Sequence, residues 1–192
     1  MSAHSIPRYT VEEYLEMDGA SEIPLEYHDG QIFPLFPIAE ATFAHSVLLS
    51  LWGPLSGRDR TVLASTLRVK AGKTYVYSDI SVICGKPIFA DKQETALNPL
   101  LIVEILSKST EASDRGAKFS YYRSLETLKE YALVVQTEPR IELYTRDSDG
   151  VWTFRVFFGM DAVCHFSSLN CSIPLAGVYG VVPLAGPGSE AP

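Results

Sequence analysis

Apolar and polar residues recur along this chain with two periods, one helical and one alternating, and the changes of period mark out the elements. Thr10-Val-Glu-Glu13 has the form of a capping box, and Val11, Tyr14 and Leu15 follow at helical spacing, predicting a short amphipathic helix. Leu25 to Phe33 reads as two extended runs around Asp29-Gly30, a pair that tolerates positive φ, so a hairpin is expected, ended by Pro34 and Pro37. From Ala39 to Leu51 the alanines, Phe43, Val47, Leu48 and Leu51 form a helical stripe, broken by Gly53-Pro54. Thr61 to Lys70 and Lys73 to Cys84 are β-rich runs joined by Ala71-Gly72 and expected to pair as antiparallel neighbours. A polar connection over 86–99 leads into Leu100 to Leu106, whose nearly unbroken apolar character signals burial on both faces. Ser113-Asp114 opens a helix through Lys118, Tyr121, Tyr122 and Leu125. Three further strands, 130–137, 140–146 and 151–158, are separated by turns at Glu138-Pro139 and Asp147-Ser-Asp-Gly150. The layout is α/β: two early helices, a central mixed sheet, one helix after the central strand and a late meander.

Composition narrows this picture. With 192 residues, 46% of them hydrophobic, the chain suits one well-buried core, read as a single domain over 1–182 followed by a disordered tail, PLAGPGSEAP, over 183–192. No apolar stretch approaches the roughly 18 to 20 residues that span a bilayer, and MSAHSIPRYT lacks a hydrophobic signal core, so a cytoplasmic protein with no membrane partner is expected. Cys84, Cys164 and Cys171 form no CxxC pair, which fits a reducing compartment. Cys164-His165 with Cys171 lacks a fourth zinc ligand at suitable spacing, leaving buried structural thiols as the better reading. A formal net charge of −7 argues against nonspecific coating of nucleic acid, which rests on phosphate neutralisation. Arg58, Arg60, Arg68, Lys70 and Lys73, then Lys108, Arg115, Lys118 and Arg123, can nevertheless form a local basic face, or simply be solvated surface charges. No Gly-rich phosphate loop follows any strand, which disfavours P-loop nucleotide hydrolysis.

The positions that change the functional picture are two acids inside strand-like runs. Asp79 lies in Tyr-Val-Tyr-Ser-Asp-Ile-Ser-Val-Ile, and Glu104 lies in Leu-Leu-Ile-Val-Glu-Ile-Leu-Ser. A charge in an apolar, β-branched stretch costs free energy unless it is paired or holds a cation. On adjacent strands the two carboxylates can converge on one hard cation, with the Ile105 carbonyl and water completing an octahedral oxygen shell, and Mg2+ or Mn2+ is the expected ion. A solvent-facing strand-end carboxylate is the plain reading for Asp79; a glutamate centred in LLIVEILS is rare as plain structure. Lys118, fourteen residues beyond Glu104, can return over the strand from the following helix to orient water or offset charge on a phosphate, although a helical lysine is usually just solvated. His45, amid the alanines, reads equally as a packing residue or a catalytic one. Glu26, just before the Asp-Gly turn, reads equally as a hairpin pin or as a base or water-mediated ligand. Ser107-Lys-Ser-Thr110 lacks a placed His and acid partner and is expected to cap the next helix.

The order of these motifs resembles that of the Uma-two family of restriction-endonuclease-like proteins in the PD-(D/E)XK nuclease superfamily. The resemblance runs from Tyr9 to about Phe158 and is most specific at Val103-Glu-Ile-Leu-Ser107 and Asp114-Arg-Gly-Ala-Lys-Phe-Ser-Tyr-Tyr122. It implies a restriction-endonuclease-like core with a central mixed sheet flanked by helices, Asp79 and Glu104 as magnesium ligands, DNA as substrate, and Lys118 in place of the lysine that other members carry two positions after the glutamate, where this chain has Leu106. Glu26 and His45 fall on positions the family also uses. Two departures are Ser78 where the family has proline, which leaves Asp79 able to ligate, and Gln31 where an acid is common, which removes any metal or base role there. The Tyr-Trp segment after the lysine helix reads Tyr131-Ala132 here, a packing change. A metal-dependent DNA endonuclease is thus the first expectation, and a homodimer suits the cutting of two strands. The alternatives are a non-catalytic nucleic-acid-binding or dimeric interaction module of the same fold, and a phosphoesterase acting on RNA or smaller substrates.

Overall fold

The computed structural model describes residues 7–35, 41–55, 59–64, 67–90 and 94–180. The proposed tail over 183–192 and the Phe43 side chain lie outside the described residues. Thr10 caps α1 (Val11–Ala20) through the expected reciprocal pair, its Oγ1 accepting from the Glu13 amide at 3.2 Å and its own N–H reaching Glu13 Oε2 at 2.8 Å. The hairpin β1 (Leu25–His28) and β2 (Gln31–Pro34) follows, turning on Asp29 and Gly30 with φ of 45° and 94°. The helix α2 (Ala41–Leu55) runs past Gly53-Pro54, which falls in its last turn, and buries Val47, Leu51 and Leu55.

Each of the two long β-rich runs divides between two sheets. Thr61 to Lys70 becomes β3 (Arg60–Ala64) and β4 (Arg68–Ala71), while Lys73 to Cys84 becomes β5 (Thr74–Tyr77) and β6 (Ile80–Cys84), parting at Ser78-Asp79. The expected antiparallel pairing holds within each sheet, β4 with β5 and β3 with β6. With β7 (Thr95–Ala96) the first sheet has the order β2-β1-β5-β4-β7. The second holds β8 (Leu101–Leu106), buried along its whole length as its apolar run requires, and the meander β9 (Glu130–Val135), β10 (Arg140–Arg146) and β11 (Trp152–Phe158), in the order β11-β10-β9-β8-β6-β3. Only β8 and β9 in it run parallel, so a crossover must join them. That crossover is a broken helix: α3 (Glu111–Ser113), a π-helical turn over Asp114–Lys118, and α4 (Phe119–Tyr122). It starts before the expected Ser113, at Glu111; Ser107 and Thr110 exchange side-chain-to-amide hydrogen bonds at 3.2 and 3.3 Å in the turn that leads into it, while Thr110, at the N-cap position, makes no side-chain cap bond.

A small hairpin, β12 (Val163–Phe166) with β13 (Cys171–Pro174), and α5 (Leu175–Tyr179) complete the described chain. The six-stranded sheet is covered on both faces. Val103, Ile105, Ala132 and Val134 pack under α2, α5 and the last hairpin, and Ile102, Leu106, Leu133 and Val135 pack under the crossover helix. Cys164 is buried against the first of these layers, whereas His165 points outward and bonds Ser172, so strand alternation separates them and no zinc ligand set forms.

Candidate active site

The two acids meet where β6 and β8 stop pairing. Their ladder ends at Ile80 opposite Val103, and one step further Asp79 would face Glu104. There the backbone bonds give way to side-chain bonds: the Asp79 amide donates to Glu104 Oε2 at 3.2 Å, and the Ile105 amide donates to Asp79 Oδ2 at 2.6 Å. In an extended strand one residue's N–H and C=O leave on the same side, so the Ile105 carbonyl is directed toward this gap as well. The strand switch at Ser78-Asp79, which carries the chain from one sheet to the other, opens the gap.

The crossover helix roofs it. Asp114, Lys118 and Tyr122, four residues apart, form one inward stripe. Lys118 Nζ lies 3.3 Å from Glu104 Oε1, 3.5 Å from Asp114 Oδ1 and 3.7 Å from Glu26 Oε1, and donates to the Tyr77 carbonyl at 3.2 Å. The Tyr122 hydroxyl donates to Glu104 Oε1 at 2.8 Å. From β1 of the other sheet, Glu26 Oε1 accepts the Tyr77 amide at 3.1 Å, while its Oε2 stands 3.3 Å from His28 Nε2. Both sheets and the helix therefore contribute to one buried cluster.

Four carboxylates share this cluster with one lysine, and the charge imbalance sets their proton affinities. Burial lifts Glu104 well above the usual carboxylate range, with Asp79 and Asp114 adding to the effect against the pull of Lys118. Burial likewise raises Asp79 and Asp114 despite the Ile105 amide and Lys118. Burial also pushes Glu26 upward, but its hydrogen bond to His28, with Lys118 and the Tyr77 amide, outweighs this and holds it below its ordinary value. Burial works against the charged form of Lys118; Glu104, Glu26 and Asp114 outweigh it and hold the ammonium above its ordinary proton affinity. Asp114 Oδ1 is buried without a hydrogen-bond donor of its own. Clustered hard oxygens, carboxylates in excess of cations and a buried carboxylate oxygen that accepts no hydrogen bond are the donor chemistry that suits Mg2+ or Mn2+. Among the described residues no three His, Cys, Asp or Glu side chains are grouped to grip a metal by themselves, so an ion here would rest on two carboxylates, the Ile105 carbonyl and water.

Of the residues singled out in the sequence, Asp79, Glu104, Ile105, Lys118 and Glu26 come together. His45 does not. It stands exposed on α2, and that helix buries its apolar side against the Val103 and Ile105 face of the sheet, opposite the face that carries Glu104. The alanine-rich stripe identified the helix but carried no information about which face of the sheet it would cover. Asp114, Tyr122 and His28 were missed. The first two were legible from their spacing to Lys118, and His28 from its place two residues along the strand from Glu26, on the same face. Of the basic set between Arg58 and Lys73, Arg58 lies outside the described residues, and Arg68 is not a free surface charge. Arg68 is buried and bonds Asp18 at 2.6 Å, Glu94 at 3.0 Å and Thr95 at 3.1 Å; in the second set, Arg115 pairs with Glu111 and Glu142.

Comparison with known proteins agrees with this architecture. A crystal structure of a protein from Anabaena variabilis ATCC 29413, described as "a putative nuclease belonging to DUF820", superposes with a TM-score of 0.71 over 90% of this chain and 98% of its own, at 17% identity, which shows a shared fold. Two Synechocystis sp. proteins named as uncharacterized are closer in sequence. One, slr1290, is 33% identical over 93% of this chain and 97% of its own length; the other, sll1609, is 34% identical over 84% and 94%. No helix among the described residues is long and apolar enough to cross a membrane. Residues 11–171 match one family model across most of the chain, and the chain therefore belongs to that family, Uma2, described as "Putative restriction endonuclease".

Proposed function

We propose that the chain is a divalent-cation-dependent endonuclease that hydrolyses DNA phosphodiester bonds, with Asp79, Glu104 and the Ile105 carbonyl holding Mg2+ or Mn2+. The supporting observation is the convergence of Asp79, Glu104 and Lys118 at the gap where β6 and β8 separate. The ion, when bound, supplies a Lewis acid for a phosphate oxygen and acidifies a water molecule. Lys118 presents an ammonium to phosphate charge that grows in the transition state. Glu26 and Asp114 hold that ammonium from two sides, and Tyr122 fixes the Glu104 carboxylate, so Glu26, Asp114 and Tyr122 act as positioning residues. His45 has no role in this scheme.

The test joins binding to cleavage. Mn2+ titrated into the purified chain should raise its melting temperature, and supercoiled DNA should be nicked in the presence of either cation; Asp79→Ala and Glu104→Gln should abolish both effects. A chain that cuts no plasmid, linear duplex, single-stranded DNA or RNA, and whose Asp79→Ala variant binds Mn2+ like the unsubstituted protein, would overturn the proposal. Retained nucleic-acid binding in Glu104→Gln without any cleavage by the parent would instead identify a non-catalytic module of this fold.

A further inference from the structure

The outer edge of the six-stranded sheet carries a second feature, independent of the site. Of the eleven large hydrophobic side chains that stand exposed among the described residues, six lie between Val151 and Val163: Val151, Phe154, Val156, Phe158, Met160 and Val163. Phe154, Val156 and Phe158 alternate along β11 and so share one face. Segregation of this kind marks an interaction surface rather than scattered surface apolarity.

The backbone of the same strand is half free. Asp147 donates to the Val151 carbonyl at 3.0 Å and Gly159 donates to the Pro139 carbonyl at 2.8 Å, so the odd-numbered residues of β11 turn their N–H and C=O groups toward β10. The even-numbered residues, Trp152, Phe154, Val156 and Phe158, therefore turn theirs outward, and β11 is the terminal strand of its sheet. Apolar side chains and open backbone groups coincide on the same residues. Natural edges are usually blunted by proline, lysine or a bulge, and β11 contains neither proline nor lysine.

We propose that β11 pairs antiparallel with β11 of a second copy of this chain, about a two-fold axis at Val156. An isologous pairing must bring even residues opposite even residues, which leaves few registers. Centring on Arg155 opposes two like charges across the strands and is disfavoured. Centring on Val156 places each Phe154 opposite the other copy's Phe158 and Val156 opposite Val156, so all three exposed side chains of the strand meet apolar partners, and Arg155 falls opposite Phe157. The Glu104 strand β8 lies three strands in from β11, so the interface and the site can be perturbed separately.

Sedimentation velocity of the full chain should give a species of twice the 21.2 kDa chain mass. Val156→Lys, which opposes two ammonium groups on the axis, should weaken self-association by on the order of 100-fold while leaving the circular dichroism spectrum and Mn2+ binding unchanged. Register is read by cross-linking. In the proposed pairing the two Val156 Cα atoms are about 5.5 Å apart, within the ~4.4–6.8 Å range of disulfides, whereas the two Phe154 Cα atoms are offset by about 13 Å along the strands. Val156→Cys treated with oxidised glutathione should thus give covalent dimer, and Phe154→Cys and the unsubstituted chain should not. A monomer at all concentrations, a dimer indifferent to Val156→Lys, or cross-linking at 154 rather than 156 would overturn the pairing.

Discussion

Asp79 and Glu104 each serve the partner strand as well as themselves: each accepts a backbone amide that the β6–β8 ladder leaves without a carbonyl. Buried acids are tolerable here because each has donors or a cation nearby; among the fully buried carboxylate oxygens of the described residues, Asp114 Oδ1 is without a hydrogen bond and has the Lys118 ammonium 3.5 Å away. That makes Asp114 the residue at which electrostatic cost can be measured. Its folded-state proton affinity is raised, so the folded chain binds more protons than the unfolded one in the window just above the ordinary carboxylate range, and stability falls as pH rises through it. Asp114→Asn should consequently gain stability relative to the unsubstituted chain between about pH 4 and pH 7, by on the order of 1 kcal/mol, when urea unfolding is followed at several pH values. A difference that shrinks with rising pH would contradict the assignment.

At the scale of elements, local chemistry and tertiary demand agree in some places and diverge in others. The α1 capping box is local, and Thr10→Ala should cost about 1 kcal/mol in denaturant unfolding, because the Glu13 amide loses its side-chain acceptor. The hairpin at Asp29-Gly30 and the meander turns were equally legible, since φ preferences act within a few residues. The division of the two long β runs was not. Nothing in Thr74 to Cys84 interrupts the β-branched pattern strongly enough to reveal that Ser78-Asp79 is a transfer between sheets, a decision made by which neighbours the two halves find. The hairpin of β12 and β13 and the helix α5 also escaped notice, because they are short and owe their order to the core they close.

Across the whole molecule, charge is spent internally. Arg68, Arg115 and Lys118, three of the nine residues of the expected basic face, are committed to Asp18, Glu94, Glu111, Glu142 and the site carboxylates. On a chain of net charge −7 this removes three of the cations that could meet phosphates. Duplex binding in the absence of divalent cation should therefore be weak, with a slope of log affinity against log salt corresponding to fewer than about four phosphate contacts in fluorescence anisotropy between 50 and 200 mM salt. A slope steeper than about −6 would show a basic surface that these ion pairs do not account for.

By itself the sequence determined the local elements, the apolar central strand, the acids that did not belong in strands and, through the spacing of its motifs, the family. These follow from rules that act over a few residues: side-chain periodicity, capping, turn conformation and the cost of an unpaired charge in an apolar run. Tertiary structure decided which acids and cations share one space. It brought Glu26 and His28 from one sheet to Asp79 and Glu104 in another, turned Asp114 and Tyr122 inward with Lys118, and left His45 on α2, beneath the opposite face. Those outcomes depend on the separation of β6 from β8 and on the face each helix covers, and both are set by packing between segments far apart in the chain.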